Sequence, residues 1–315
     1  MKDIFDNVRL LLTTRGRVSF QPTLKNLSDT IRQKVTIICY PGERKQHLIN
    51  WEGKVYQIIE HPNVLDNIDA IRHWCIEHFK EDYIIFMDDN LNFHVRKDSE
   101  RGTQCKFPLH QMCSKHFSEK TISTIQWEMF TWIIDRLKSM KYGIVGSSSS
   151  NKSIQNLIDQ KYGVVGISTR PGNNRHIKNE EENFRVYAFW GINKLLFNQV
   201  KYNYDVSSFK YKGDFYTVLF MLTQGFPNII SYKYSFGKVG GPNNQGGCSI
   251  YRNEKLISLE AELLAKKFPG IVKIVTKNSK SWKGVSDEIK DVNVQWKKAY
   301  EYGIRQKKDE KYRLF

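Results

Sequence analysis

Over residues 7–90 the sequence switches repeatedly between short β-branched runs and stretches with helical periodicity, and this alternation limits the fold more than any other feature. Asn7–Thr14 (NVRLLLTT), Lys34–Tyr40 (KVTIICY) and Tyr83–Met87 (YIIFM) read as strands, with Val55–Ile59 a shorter one. Between them, Pro22–Lys34 repeats Leu24, Leu27 and Ile31 at helical spacing, and Leu65–Lys80 does so with Ile68, Ile71, Cys75 and Phe79. The strands are apolar nearly throughout, as strands covered on both faces are. Strand–helix–strand order then predicts an α/β fold: a mixed, mainly parallel sheet with helices on both faces. Ligands in such sheets bind beyond the carboxyl ends of the strands.

Two motifs fall at such ends. Tyr83–Met87 runs directly into Asp88-Asp89-Asn90. Carboxylates delivered to an exposed strand end suit a hard cation such as Mg²⁺ or Mn²⁺, which takes oxygen ligands and shares them with phosphates. Asp and Asn are equally ordinary turn residues after a strand. The first strand ends in Thr14-Arg15-Gly16-Arg17, where guanidinium groups and an open backbone can grip a nucleotide; a solvated basic turn has the same composition.

Further along, residues 98–120 read as an inserted loop, Ile122–Met140 as a helix, Tyr142–Gly146 and Arg185–Trp190 as strands, and Ile229–Phe236 as a strand with alternating aromatics. The loop holds Cys105, His110, Cys113 and His116, two Cys and two His in a spacing that matches no standard zinc pattern. Asp214 opens a predicted helix, Asp214–Gln224. It is placed either to take a proton from an attacking hydroxyl or to cap the helix. Gly240–Arg252 (GGPNNQGGCSIYR) can close over a diphosphate, without the Gly-Lys-Ser/Thr ending of a Walker loop. The segment 253–315 reads as a helical, Lys-rich extension of a single domain spanning 1–315.

Charge narrows the partners. Lys and Arg number 49 against 33 Asp and Glu, a net +16 that favours polyanions. Arg170, Asn173, Asn174 and Arg175, with Lys210 and Lys212, are the candidate contacts to nucleic acid. Apolar runs are too short for a membrane span, and the amino-terminal stretch has no signal-peptide core. Five scattered cysteines fit a reducing compartment, so a cytoplasmic location is expected.

In this order Thr14–Arg17, Asp88–Asn90, Arg185–Leu196 (RVYAFWGINKLL), Asp214–Gly225 and Gly246–Arg252 (GGCSIYR) resemble the TET-associated glycosyltransferases of phages, which are of GT-A type and akin to the base J glucosyltransferase. The resemblance covers about residues 8–300 and implies a GT-A-type, Rossmann-like fold. It implies transfer of a sugar from a nucleotide sugar, such as a UDP-sugar, to the hydroxymethyl group of a modified pyrimidine in DNA. A divalent ion, Mn²⁺ or Mg²⁺, would be the cofactor. Thr14, Arg15, Gly16 and Arg17 would contact the donor nucleotide, with Asp88, Asp89 and Asn90 at ribose and metal. Asp214 would be the base, and Gly246, Gly247, Ser249 and Arg252 would lie over the diphosphate. Asn90 stands where the motif's third position is acidic, and Gly213 where many relatives carry Glu. A glycan or protein acceptor, or a non-catalytic nucleic-acid-binding protein, are the alternatives.

Overall fold

The computed structural model describes residues 3–96, 109–141, 160–173, 176–205, 209–240, 253–278 and 288–313. The first third is the predicted alternation. β1 (Val8–Thr13), β2 (Val35–Cys39), β3 (Gln57–Glu60) and β4 (Tyr83–Asp88) are joined through α1 (Pro22–Asn26), α2 (Asp29–Arg32), α3 (Arg44–Trp51) and α4 (Ile68–His78). All pairings among these strands are parallel, with Leu10 beside Val35 and Ile85, and Thr13 beside Asp88. The single helix expected over Pro22–Lys34 is broken in two, because Leu27 and Ser28 are extended. Buried Gln126 receives the backbone groups freed by the break. Its Oε1 accepts the Ser28 N–H (2.7 Å) and its Nε2 donates to the Asn26 carbonyl (2.6 Å).

The remaining elements are β5 (Leu91–Arg96), β6 (Leu109–Gln111), α5 (Glu119–Lys138), β7 (Met140–Lys141), β8 (Gln160–Lys161), β9 (Val164–Thr169), α6 (Arg170–Asn173), β10 (Glu180–Glu182), β11 (Phe189–Asn193), α7 (Lys194–Asn198), α8 (Gly213–Thr223), β12 (Asn228–Lys238), α9 (Glu254–Lys267), β13 (Val272–Asn278), β14 (Glu288–Val294) and α10 (Trp296–Arg313). The main sheet runs β3-β2-β1-β4-β11-β9-β12-β5-β6, with β10 also on β12. β11 is antiparallel to both β4 and β9, whereas β9 and β12 are parallel. Within the expected 98–120 loop, Leu109–Gln111 is a strand on β5 and Glu119 already begins α5. The expected helical extension contains an antiparallel ribbon, β13 with β14, besides its helices. The expected strand at Tyr142–Gly146 lies outside the described residues beyond Lys141, as does Cys105.

Two cores follow from the two-residue period of the strands. Leu11, Ile38, Ile84, Phe86 and Trp190 face α4, α8, α9 and α10. Leu10, Leu12, Ile37, Ile85, Met87 and Phe93 face α1, α2 and α5. The mixed sheet with helices on both faces is therefore observed as expected. Fully burying one such side chain contributes about 1.5–3 kcal/mol. No helix among the described residues is long and apolar enough to cross a membrane.

α9 sets where α8 begins. Glu260, which has no exposed surface, accepts the N–H groups of Lys210 (2.7 Å), Tyr211 (2.9 Å) and Lys212 (2.7 Å) just before α8. Replacing Glu260 by Ala strands these half-buried and buried donors, a cost of about 1–3 kcal/mol. Urea unfolding is expected to show that loss, and Glu260→Gln, which keeps one acceptor oxygen, a smaller one.

Candidate active site

The carboxyl ends of β1 and β4 lie side by side, and two networks meet there. In the first, Asp89 holds the chain that follows β1. Thr14 Oγ1 donates to Asp89 Oδ2 (2.7 Å) and Arg17 Nη1 to Asp89 Oδ1 (2.6 Å), with Asp89 buried. Gln21 Nε2 donates to Thr14 Oγ1 (2.9 Å) and to the Arg17 carbonyl (2.9 Å), which closes the loop on itself. Burial pushes the Asp89 carboxyl above its ordinary value, against the pull of Arg17 and Thr14. Gly16 donates its N–H to Glu43 Oε1 (2.8 Å). Arg15 stacks on the Tyr40 ring at 4.2 Å and donates to the Asp66 carbonyl (3.0 Å).

The second network centres on Asp88. Its N–H donates to the carbonyl of Ala188 (2.8 Å), which sits at a left-handed φ of 61° before β11. Arg72 Nη2, from α4, donates to Asp88 Oδ1 (2.7 Å), and Lys238 Nζ, at the end of β12, to Asp88 Oδ2 (2.9 Å). Lys238 reaches this point because it pairs with Leu91, three residues after Asp88. Burial opposes ionisation of Asp88, yet the Lys238 and Arg72 cations outweigh it and hold the carboxyl below its ordinary value. Asn90 is tied to the following residue of that strand end. Its carbonyl accepts the Val239 N–H (2.7 Å).

Arg72 extends the second network to α8. Its Nη1 lies 3.4 Å from Asp69 Oδ1, and Asp69 Oδ2 accepts the Gly213 N–H at 3.1 Å. Asn67 caps α4 through the Asp69 and Ala70 amides, which fixes both Asp69 and Arg72. Burial above all pushes Asp69 up to about 7; Arg72 pulls against it, and Asp214 and Glu260 add to it. A Cβ at Gly213 would lie 2.1 Å from the Asp69 carboxyl carbon. Asp69 thus fills the space a side chain at 213 would use, which accounts for the glycine noted in the sequence.

Asp214 sits in the first turn of α8, its carboxylate 4.0 Å from Arg185, whose guanidinium stacks on Tyr187 and Phe215. Glu260 accepts the N–H groups of Lys210, Tyr211 and Lys212 just before the helix, and Asp69 that of Gly213, its first residue. Asp69, Arg72, Glu260 and Lys238 were not singled out by the sequence, and Arg185 entered only as the first residue of a quoted motif. The only signal available was charge inside apolar periodic stretches: Asp69 and Arg72 interrupt the α4 pattern, and Glu260 that of α9.

The candidate nucleic-acid contacts divide. Lys212 is buried and donates to Asp291 Oδ1 (2.6 Å) of β14, and Lys210 pairs with Asp66. Asn173 is buried; its Nδ2 donates to the Tyr232 carbonyl (2.9 Å), and its own carbonyl accepts from Arg96 (2.7 Å). The Lys212 and Asn173 side chains thus have internal partners in this structure. Arg170 is exposed. Asn174, Arg175, Gly246, Gly247, Ser249 and Arg252 lie outside the described residues.

As metal ligands the three motif residues differ. Asp89 is buried with both oxygens on Thr14 and Arg17, so in this structure it braces the loop after β1. Asp88 is ionised and its side chain is 22% exposed, so it can offer an oxygen, with Asn90 beside it. Among the described residues no group of three or more His, Cys, Asp or Glu is placed to hold a metal. The donors present fit Mg²⁺ or Mn²⁺ bound through one carboxylate and completed by phosphate and water, as these ions often are.

No family model matches the sequence, and no curated protein matches it. Among solved structures, the chain is similar to the mannosyltransferase PcManGT of Pyrobaculum calidifontis, solved with GDP-Man and Mn²⁺ (TM-score 0.38, 10% identity, 70% of this chain and 53% of that one). It is similar to the glucosyl-3-phosphoglycerate synthase of Mycobacterium tuberculosis, solved with Mn²⁺, UDP and glucosyl-3-phosphoglycerate (TM-score 0.43, 8% identity, 89% and 88%). It is also similar to S. aureus TarS 1-349, solved with UDP (TM-score 0.38, 11% identity, 82% and 65%). The chain thus spans about half of the first and just under two thirds of the third.

Two outcomes follow from Asp69. Its carboxyl titrates near 7 in the fold and at 3.8 when free, so between those values the native state keeps a proton that the unfolded chain has lost. That contribution is fully present below 3.8 and is lost as pH rises through about 7. Urea midpoints measured from pH 4 to 7 are expected to fall for the wild type relative to Asp69→Asn. Gly213→Ala is expected to lose about 1–3 kcal/mol by overpacking. In an Asp69→Gly background the same change should cost less, which a double-mutant cycle in urea reads directly.

Proposed function

We propose that the chain is a metal-dependent glycosyltransferase of the GT-A class. It takes a sugar from a nucleotide sugar, a UDP-sugar by the resemblance of its motifs. The acceptor is the hydroxymethyl group of 5-hydroxymethylcytosine or 5-hydroxymethyluracil in phage DNA. The observation that carries this reading is Asp88. It stands ionised at the carboxyl end of β4, beside the loop after β1, and is linked through Arg72 and Asp69 to the start of the helix bearing Asp214.

Each group has a task in such a transfer. Arg15 on Tyr40, with Thr14 and Arg17 locked by Asp89, forms a rigid, basic rim for the donor's nucleotide. A divalent ion held by Asp88 and Asn90 would offset charge on the departing diphosphate. Asp214, in the first turn of α8 with Arg185 4.0 Å from its carboxylate, accepts the proton of the attacking hydroxyl. A base within a duplex is hidden from these groups, so the acceptor is flipped out or single-stranded. The net charge of +16 supports a DNA acceptor through sequence-independent phosphate contacts.

A second reading keeps the reaction and moves the acceptor to a glycan or protein. The internal partners of Lys212 and Asn173 favour it, since they occupy two of the expected DNA contacts. The deciding experiment incubates the protein with Mn²⁺, UDP-sugars and hydroxymethylated DNA, followed by mass spectrometry of the nucleosides. A mass gain of one hexose or pentose is expected. Asp88→Ala should lower the rate at least about a hundredfold, and Asp214→Asn by roughly 10²–10⁴. Absence of any donor turnover, with Asp88→Ala equal to wild type, would refute transferase activity. Turnover of donor without DNA modification, together with salt-independent DNA affinity, would select the second reading.

A further inference from the structure

We propose that Lys238 is a resident cation of Asp88 that exchanges its partner during donor binding: it neutralises the carboxylate in the free protein and moves to the donor's diphosphate when a divalent ion takes the Asp88 oxygen. The inference rests on the transferase reading and deepens it, since it makes metal and diphosphate binding mutually reinforcing. The two cations on Asp88 are unlike. Arg72 is buried, with 7% of its side chain exposed, and is fixed by Asp69 as well; Lys238 is 45% exposed. Burial thus keeps Arg72 in place, whereas exposure leaves Lys238, which also lies over the Tyr187 ring at 5.8 Å, able to leave Asp88.

The backbone confines that movement to the side chain. Lys238 pairs with Leu91, and the next residue, Val239, is tied to Asn90 by its N–H (2.7 Å), so the Cα of Lys238 is anchored beside the motif whichever partner the ammonium takes. Charge sets the direction of exchange. A divalent ion arriving alone at Asp88 meets two cations already on one carboxylate, and like charges at such separations repel strongly in a half-buried site. A diphosphate arriving with the ion supplies the negative charge that both the ion and the released ammonium require. Ion and diphosphate then raise each other's affinity by the same factor, as linkage demands.

The test measures Mn²⁺ binding by electron paramagnetic resonance and UDP binding by calorimetry on the full chain, wild type and Lys238→Met. Wild-type protein is expected to bind Mn²⁺ weakly alone and at least about tenfold more tightly with UDP, within the usual range of such couplings. Lys238→Met should bind Mn²⁺ alone about tenfold more tightly than wild type, yet bind UDP with Mn²⁺ about tenfold more weakly. Lys238→Arg should stay near wild type in both. The opposite signs separate exchange from a merely structural role, which would weaken both together. The exchange is overturned if Lys238→Met leaves Mn²⁺ affinity unchanged or lowered, or if UDP does not tighten Mn²⁺ on the wild type. Failure of the wild type to bind Mn²⁺ and UDP at all overturns the transferase reading along with it.

Discussion

The Arg72 guanidinium is the interaction on which the site depends. It is buried, and it holds two carboxylates from different elements, Asp88 at the end of β4 and Asp69 at the start of its own helix. Removing one partner of such a buried set costs far more than the pair contributes net, because the other charges are left without water or counterion. That asymmetry makes the spacing between β4, α4 and α8 rigid. It also explains why the neighbouring carboxyls behave in opposite ways: Asp88, with two cations, stays ionised, while Asp69, sharing one cation near Asp214 and Glu260, holds its proton far longer.

Asp88 and Asp89 show how adjacent residues of one type divide labour. Leaving a strand, successive side chains point to opposite sides. Asp89 turns toward the loop after β1 and is used up in holding Thr14 and Arg17. Asp88 turns toward α4 and the end of β12 and keeps partial access to solvent. The left-handed backbone at Ala188 belongs to the same arrangement. An alanine there is strained by roughly 1–2 kcal/mol. The carbonyl it aims accepts the Asp88 N–H, so the strain is offset locally and fixes the direction in which Asp88 projects.

The sheet was legible in the sequence because its strands are apolar on both faces and its helices periodic: β1, β2, β4, α4 and α5 stand within a few residues of where pattern alone puts them. The same pattern hid the break at Leu27–Ser28, which depends on a glutamine a hundred residues away. It also missed α3, which is largely polar, and β5 and the β13–β14 ribbon, where apolar residues merely alternate with polar ones. At the site, the two strand-end motifs were readable from residue type. What was not readable is which charges are spent internally. Lys212 and Lys210 look like open basic residues until Asp291 and Asp66 are brought to them by the fold. Asp69 and Arg72 look like a solvated helix face until α4 is laid against β4.

The start of α8 is gripped from three directions: by Asp69 from α4, by Glu260 from α9, and by Asp291 from β14 through Lys212. These anchors are spread from the first quarter of the chain almost to its far end. A growing polypeptide can therefore complete its early parallel sheet long before the helix carrying Asp214 acquires its final seat. Order of synthesis thus builds in a delay, during which the half-made protein has its first parallel strands and the loop after β1 but not yet the seat of α8.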